Sequence, residues 1–165
     1  MHTGESGCGD VLVKSETEAL DWCKKYLSYF PTNCGQEPPA IEAQAPGKDV
    51  SLDEIIPAEQ NKLFDVRTLL EALVDDGSLL EIKARFAKEM VTALARLDGK
   101  PVGILANNSR YKGGVLFVDS ADKAARFINL CDAFNIPILY LADVPGFMIG
   151  SQVERQGIIR HGAKM

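Results

Sequence analysis

The sequence lacks the features that several common protein classes require. It contains no run of about 18 apolar residues, the minimum for a membrane-spanning helix. It has only two histidines and four irregularly spaced cysteines without a CxxC pair, so we expect no metal site. Such irregular spacing favours cysteines that are reduced thiols, as in a cytosolic type of compartment. The cysteines are Cys8, Cys23, Cys34 and Cys131.

Positive charge and nucleotide-binding motifs are scarce as well. The formal net charge is −5, which argues against a nucleic-acid or anionic-membrane surface, since both usually need a basic patch. The opening segment 1–5 lacks the basic and apolar regions of a signal peptide. There is neither a Walker loop nor a G-x-G-x-x-G spacing, and no Ser-His-Asp or Cys-His arrangement can be assembled. A hydrophobic content of 46% in 165 residues is ordinary for a globular domain with its own core.

Two helices are predicted in the first half of the chain. Ser15 and Glu18 form a capping box ahead of an apolar stripe that ends at Pro31. A shorter helix over 66–74 has Asp65 as its cap and Gly77 as its stop. The stripe of the first helix consists of Ala19, Trp22, Cys23, Tyr26, Leu27 and Phe30.

Between these helices, residues 32–53 carry no hydrophobic periodicity. Prolines at 38, 39 and 46 and Gly47 interrupt any regular element, which predicts an extended segment. Such a length is unusual inside a compact domain, so we interpret the segment as a boundary between two domains. A long surface loop within one domain is the alternative.

The second half has the pattern of a layered α/β fold. Asp98-Gly99 between the apolar runs 92–97 and 102–106 predicts a β-hairpin. A strand over 115–118 and a helix capped by Ser120 follow, and then an apolar run over 136–142 that is typical of a strand covered on both faces. Ligands in such folds commonly bind beyond the carboxyl ends of strands. The apolar face of the helix carries Ala124, Phe127, Ile128, Cys131 and Phe134.

The loop after that strand, residues 143–150, is the candidate site. Pro145 restricts the backbone, whereas Gly146 and Gly150 allow conformations that other residues resist. A strand end, a glycine loop and a helix that opens near Gly157 can direct several amide groups to one point and stabilise an oxyanion. The alternative is an ordinary strand-to-helix turn, and the spacing does not decide between the two.

Three further candidates have an equally ordinary alternative. His161 could transfer a proton or be structural, and Asp143 could be a base or bond nearby backbone. The segment 110–112 could meet a phosphate such as that of coenzyme A, or be a surface loop.

Together, the motifs resemble a known family. They are Asp98-Gly99 with 102–104, then 120–127, 131–137, 143–147 and 157–164, in that order. The sequence resembles the carboxyltransferase (β) subunits of biotin-dependent acyl-CoA carboxylases of the propionyl-CoA and acetyl-CoA type. The resemblance extends over essentially the whole chain.

The resemblance implies an α/β, crotonase-like (ClpP/crotonase) fold of β-β-α turns, present only in part. Residues 1–35 would be the C-terminal end of the N-terminal carboxyltransferase domain and 36–60 the interdomain linker. Residues 61–165 would be the first half of the C-terminal domain. The chain would then be an internal fragment that ends in mid-helix, is marginally stable or self-associating, and is inactive alone.

The resemblance also implies the reaction, which moves a carboxyl group from carboxybiotin to the α-carbon of propionyl-CoA or acetyl-CoA. Backbone amides of Gly146, Phe147 and Gly150 would be catalytic, and Gln152 would influence the choice of acyl chain. Ile149 replaces a proline that many relatives carry. The biotin side would comprise Pro145, Gly146, Phe147, Met148 and Ile149.

Partners and location follow from the same resemblance. Biotin would be attached to a separate carrier protein, with a biotin carboxylase or carrier subunit as partner. The subunit would form a dimer-based homo-oligomer, hexameric in full-length relatives, without direct contact with nucleic acid or membrane. It would lie in the bacterial cytoplasm or, in a eukaryote, the mitochondrial matrix. A biotin-dependent acyl-CoA decarboxylase subunit and a non-catalytic assembly fragment are the alternatives.

Overall fold

The structure is a computed structural model that describes residues 1–48, 50–59 and 62–165. Its centre is a four-stranded sheet in the order β1 (Leu80–Ile82), β2 (Met90–Leu97), β3 (Lys100–Asn107) and β4 (Ile138–Leu141). β2 pairs antiparallel with β1 and with β3, whereas β4 pairs parallel with β3. In the described ranges, no helix is both long and apolar enough to cross a membrane.

The predicted hairpin is confirmed. β2 and β3 pair from Leu97 opposite Lys100 to Met90 opposite Asn107, so the connection has two residues. These are Asp98 and Gly99, with φ of 52° and 73°. Two positive φ angles define the type I′ turn, whose twist matches that of the paired strands.

Helix α4 (Val118–Ala133) connects β3 to the parallel strand β4. The prediction of a strand over 115–118 is wrong, because only Leu116 forms a bridge, to Phe147, and Val118 already begins the helix. Ser120 is not the N-cap but the third helical residue, where its hydroxyl accepts a 2.7 Å hydrogen bond from the Phe117 amide. The predicted apolar face is confirmed, and its buried members are Ala124, Phe127 and Cys131.

Helix α1 (Glu16–Leu27) covers one face of the sheet together with α4. Ser15 caps α1 as predicted, but Glu18 accepts a hydrogen bond from the Lys14 amide, one residue before the expected partner. The core on this face includes the buried Tyr29 and Phe127. Against it pack the successive aromatic rings of Trp22, Tyr26, Phe30 and Phe134.

The opposite face is covered by helix α3 (Val66–Leu73), near the short helix α2 (Leu52–Ile55). Asp65 caps α3 as predicted, accepting from the Arg67 amide at 3.1 Å. Leu70 at the centre of α3 is fully buried. Each face of the sheet therefore has a separate apolar core.

The segment 36–48 lies along the hairpin turn. The Ile41 amide donates to the Gly99 carbonyl at 3.0 Å, and a Cβ on Gly99 would overlap the Ile41 backbone. The buried Asp75 carboxylate accepts from the amides of Asp98 and Gly99 at 3.0 and 2.8 Å. The proposed domain division stays a prediction, and Asp49, Gln60 and Asn61, which fall in its linker and at the start of its second domain, lie outside the described residues.

β4 differs from its prediction as a strand covered on both faces. Its residues are half-buried, and the Tyr140 side chain is 54% exposed. The reason is its place in the sheet, since β4 pairs with β3 only and forms an edge of the sheet that the described residues build. The apolar run therefore predicted the strand correctly but not its environment.

Candidate functional site

A cleft of about 750 Å³ opens at the carboxyl ends of β3 and β4. Asn107 and Ser109 line it from the end of β3, and residues 141–145 line it from the end of β4. Phe64 and Val66, at the start of α3, form part of the opposite wall. The cleft thus lies where the sequence predicts a ligand site, beyond parallel strand ends.

The loop 143–150 leaves this cleft with two unusual backbone conformations. Gly146 has a φ of 132° and Gly150 a φ of 129°. A Cβ at either position would meet no atom within 4 Å, so neither glycine is required by crowding. Both are required by the backbone angle, since L-residues with a side chain rarely adopt such a φ.

Only part of the loop backbone is engaged in hydrogen bonds. The Leu116 amide donates to the Gly146 carbonyl at 3.1 Å, and the Met148 amide donates to the Leu116 carbonyl at 2.8 Å. No hydrogen bond among the described residues uses the amides of Gly146, Phe147 or Gly150. The three amides predicted to act as donors therefore remain available to a ligand, whereas that of Met148 is occupied.

The side chains of the predicted biotin-side residues face different surroundings. Pro145 lines the large cleft. Phe147 lines a separate depression of about 290 Å³ formed with Ile159, Gly162 and Ala163. Ile149 is 81% exposed, and Met148 is 40% exposed. The structure brings the backbone of the loop together, but it does not gather these side chains in one pocket.

The chain after the loop forms two short helices, α5 (Ser151–Arg155) and α6 (Ile158–Gly162). α5 was not predicted, because five residues give no clear periodicity. Gln152 is an exposed residue in its first turn. α6 begins after Gly157, which has a φ of 82°, and it ends at Gly162 rather than continuing to the last residue.

His161 has a structural partner on each side of its ring. Its Nδ1 lies 2.7 Å from Asp122 Oδ2, and its Nε2 lies 3.3 Å from an Arg160 nitrogen. Partial burial raises the pKa of Asp122, but hydrogen bonds from Lys164 and His161 outweigh this effect and hold the pKa below its ordinary value. The carboxylate thus accepts a hydrogen bond from Nδ1–H, which favours the structural interpretation of His161 over a role in proton transfer.

The candidate phosphate contacts in 110–112 also have internal partners. Arg110 lies 3.6 Å from Asp65, and Lys112 lies 3.9 Å from the buried Glu89 carboxylate. The Lys112 ammonium also lies 4.2 Å from the centre of the Phe117 ring. These contacts favour a structural loop over a phosphate site.

Sequence reasoning missed the network that supports the cleft. Asn108, just beyond β3, donates from its side-chain amide to the Asp65 carboxylate at 3.0 Å. Burial raises the pKa of Asp65, but the Arg67 backbone and guanidinium and the Asn108 amide outweigh it and lower the pKa. The sequence predicted Asp65 as the cap of α3. Its contact with Asn108 joins residues far apart in the chain, and no local pattern predicts such a contact.

Asp143 lines the cleft, but it belongs to no metal-binding group of described residues. Over the part of the chain that the structure describes, no three His, Cys, Asp or Glu side chains are grouped to hold a metal ion. The chemistry that the site offers is therefore hydrogen bonding by main-chain donors beside an apolar cleft.

Comparison with known proteins decides the family. The model of the carboxyl transferase domain matches residues 1–165. The chain belongs to the carboxyl transferase domain family. It is 56% identical over its full length to the uncharacterized carboxylase YngE of Bacillus subtilis, and 43% identical over 99% of its length to the propionyl-CoA carboxylase carboxyltransferase subunit of Haloferax mediterranei. The chain spans 32% of each of these relatives.

Solved structures of carboxyl transferase proteins have the same fold. Transcarboxylase 12S, with methylmalonyl-coenzyme A and methylmalonic acid bound, superimposes with a TM-score of 0.90 at 43% identity, covering 99% of this chain and 32% of that one. A single-chain, multi-domain long-chain acyl-CoA carboxylase gives a TM-score of 0.81 at 34% identity, over 94% of this chain and 15% of that one. The expectation of a partial, crotonase-like α/β fold is confirmed.

Proposed function

We propose that the chain is the part of an acyl-CoA carboxylase carboxyltransferase that forms the biotin side of the active site. The observation that carries this proposal is the set of unengaged amides at Gly146, Phe147 and Gly150, directly after a strand that ends at the cleft. Family membership and the relatives named propionyl-CoA carboxylase and methylmalonyl-CoA carboxyltransferase support it.

The chemistry of these donors suits biotin, a cofactor named in related carboxylase subunits. Biotin, when bound, carries the carboxyl group, and its ureido oxygen becomes more negative as that group leaves. Amides of Gly146 and Phe147, free of protein acceptors among the described residues, would donate to this oxygen. Pro145, Met148 and Ile149 would supply apolar contacts around the bicyclic ring. Removal of one such donor typically slows kcat by about 10²–10³-fold.

The bridge to Leu116 explains how the loop presents these donors. The Gly146 carbonyl and the Met148 amide are both bonded to Leu116, on either side of Phe147. Pairing at both neighbours fixes the peptide planes that flank Phe147, so its amide needs little reorganisation to meet a charge. Preorganised donors of this kind stabilise a developing oxyanion more than mobile ones.

The acyl-CoA substrate is short, propionyl-CoA or acetyl-CoA, and Gln152 contributes to this selectivity. Gln152 lies two residues after Gly150, exposed in the first turn of α5. The chain spans 32% of the Haloferax mediterranei subunit, and the remaining residues of the acyl-CoA site would come from the other two thirds of such a subunit. The same proposal includes the domain division at 35 and 60 and a biotin carboxylase or carrier subunit as partner. It also includes a homo-oligomeric assembly and a cytoplasmic or mitochondrial location.

The test uses a chimera in which this chain replaces the aligned third of the Haloferax mediterranei subunit. The chimera should transfer a carboxyl group from carboxybiotin to propionyl-CoA or acetyl-CoA, with the parent subunit as the positive control. Phe147 is then replaced by phenyllactic acid, which converts its amide to an ester and removes one donor. We expect kcat to fall by about 10²–10³-fold.

The matched control is the same amide-to-ester replacement at Ile159, an exposed residue in the first turn of α6. It should leave kcat within about threefold of the chimera, because the first helical amides have no acceptor within the helix. Equal rates for the Phe147 ester and the unsubstituted chimera would contradict the proposal. Activity only in the direction of CO₂ release would favour a decarboxylase.

A further inference from the structure

We propose that Asp122 is a positioning residue that holds the 143–150 loop in place through helix α6. Asp122 touches neither the loop nor the cleft, so its action must pass through another element. α6 packs against α4, which carries Asp122. Only the expected effect of Asp122 on catalysis rests on the proposed function. The structural link between Asp122 and the loop can be tested without an activity measurement.

The first link joins α4 to α6. Asp122 Oδ2 lies 2.7 Å from His161 Nδ1, and Asp122 Oδ1 accepts from Lys164 Nζ at 2.8 Å. The two carboxylate oxygens thus hold His161, near the end of α6 and with a side chain only 17% exposed, and Lys164, two residues beyond the helix. Hydrogen bonds that involve a charged group are roughly twice as strong as neutral ones. A helix of five residues is not stable by itself, so contacts with other elements hold α6 in place, and these include the burial of Ile158 as well as the bonds to Asp122.

The second link joins α6 to the loop. Gly162 lies against the Phe147 ring, and a Cβ on residue 162 would come within 2.6 Å of Phe147 Cε1. Ile159, Gly162 and Ala163 line one depression together with the Phe147 ring. The position of α6 therefore determines where the Phe147 ring can lie, and with it the backbone that carries the Phe147 amide.

The third link fixes the other side of the loop to the start of α4. Leu116, two residues before α4, bonds the Gly146 carbonyl and the Met148 amide. The loop is consequently held between the approach to α4 and helix α6, and Asp122 is the ionic contact that ties these two supports together. Loss of that contact lets α6 and the Phe147 ring shift while the Leu116 bridge bears the strain alone.

The test measures amide hydrogen exchange in the 165-residue chain by NMR. The Met148 amide reports on the loop because it is bonded to Leu116, and amides of the β2–β3 ladder report on global stability. In Asp122→Ala, we expect the Met148 amide to exchange about tenfold or more faster than in the wild type, with the ladder amides changing much less. Asp132→Ala is the matched control, since Asp132 is an exposed carboxylate on the same helix.

A second variant covers the case in which Asp122→Ala does not fold. Asp122→Asn keeps one oxygen as an acceptor for His161. The exchange rate of its Met148 amide should therefore lie between that of the wild type and the rate expected when both bonds to Asp122 are lost. Unchanged Met148 exchange in a folded variant would overturn the proposal, as would equal acceleration of loop and ladder amides. In the active chimera, Asp122→Ala should raise the KM for the biotin donor more than that for the acyl-CoA. A positive exchange result in an inactive chimera would leave this inference standing and reject only the proposed function.

Discussion

Lys123 should be a sensitive position for the stability of this chain. It lies on α4 with 3% of its surface exposed, and its ammonium donates to the carbonyls of Lys83, Phe86, Ala87 and Met90 at 2.6–3.3 Å. Lys83 and Ala87 have positive φ angles of 56° and 42°. The ammonium thus stabilises a strained connection between β1 and β2.

The magnitude follows from two opposing effects of Lys123→Met. An ammonium has three protons, so about three buried carbonyls lose their partner at roughly 1–3 kcal/mol each, or about 6 kcal/mol together. The variant also relieves the cost of burying the charge. That burial lowers the pKa of Lys123 from 10.5 to about 8, which corresponds to about 3 kcal/mol. The net loss at pH 7 is therefore about 3 kcal/mol of unfolding free energy.

The pH dependence has a definite sign. Between pH 8 and 10.5 the unfolded chain binds a proton at Lys123 that the folded chain has released. The free energy of unfolding of the wild type should therefore rise with pH through this window, relative to that of Lys123→Met. The difference should grow by up to about 3 kcal/mol.

Urea denaturation of both proteins, followed by circular dichroism at a series of pH values, measures this difference. Arg126→Met is the matched control, since Arg126 is an exposed cation on the same helix. It should lose less than about 0.5 kcal/mol. A Lys123→Met variant as stable as Arg126→Met, or a stability gap that narrows from pH 8 to 10.5, would refute the reasoning.

Three other predictions concern the loop, the hairpin turn and the buried thiol. Gly150→Ala should lose about 1–3 kcal/mol in urea denaturation, since a side chain strains a φ of 129° even in open space; no loss would show that the loop relaxes freely. Asp75→Ala should lose about 2–4 kcal/mol by the same assay, because three amides lose a shared acceptor, whereas its exposed neighbour Asp76→Ala should lose little; equal losses would contradict this role. Cys131 is buried with a pKa raised to about 12, so a thiol reagent should label three of the four cysteines in the native chain; rapid labelling of all four would show that the core opens.

Local sequence signals predicted the elements that local chemistry determines. The Asp98-Gly99 turn requires two positive φ angles, and its residue types are those that tolerate them. The helices α1 and α4 have long periodic apolar faces, and their existence was predicted correctly. The strand β1 has three residues and the helix α5 has five. Neither was predicted, because so few residues do not show a hydrophobic periodicity.

Features that depend on distant contacts were predicted less well. The run 115–118 is apolar like a strand, but among its residues only Leu116 forms a β-bridge, with the loop some thirty positions later. The exposure of β4 depends on which strands lie beside it, which its own sequence does not encode. For the site, the sequence indicated the loop and its glycines. The structure adds that the Met148 amide is occupied and that His161 bonds Asp122 of α4.

The contact between the hairpin turn and the segment 36–48 has a consequence for proteolysis of the chain. Gly99, Asp75 and Arg96 hold this segment through its backbone atoms, including the Pro39 carbonyl, and the Lys48 side chain adds an ion pair with Glu71. A protease cut just after residue 48 would therefore yield two pieces that remain associated. Most side chains of the segment can change as long as its main chain can lie on the turn. A side chain at Gly47 would require the Asp76 carboxylate to move, and one at Gly99 would overlap the Ile41 backbone.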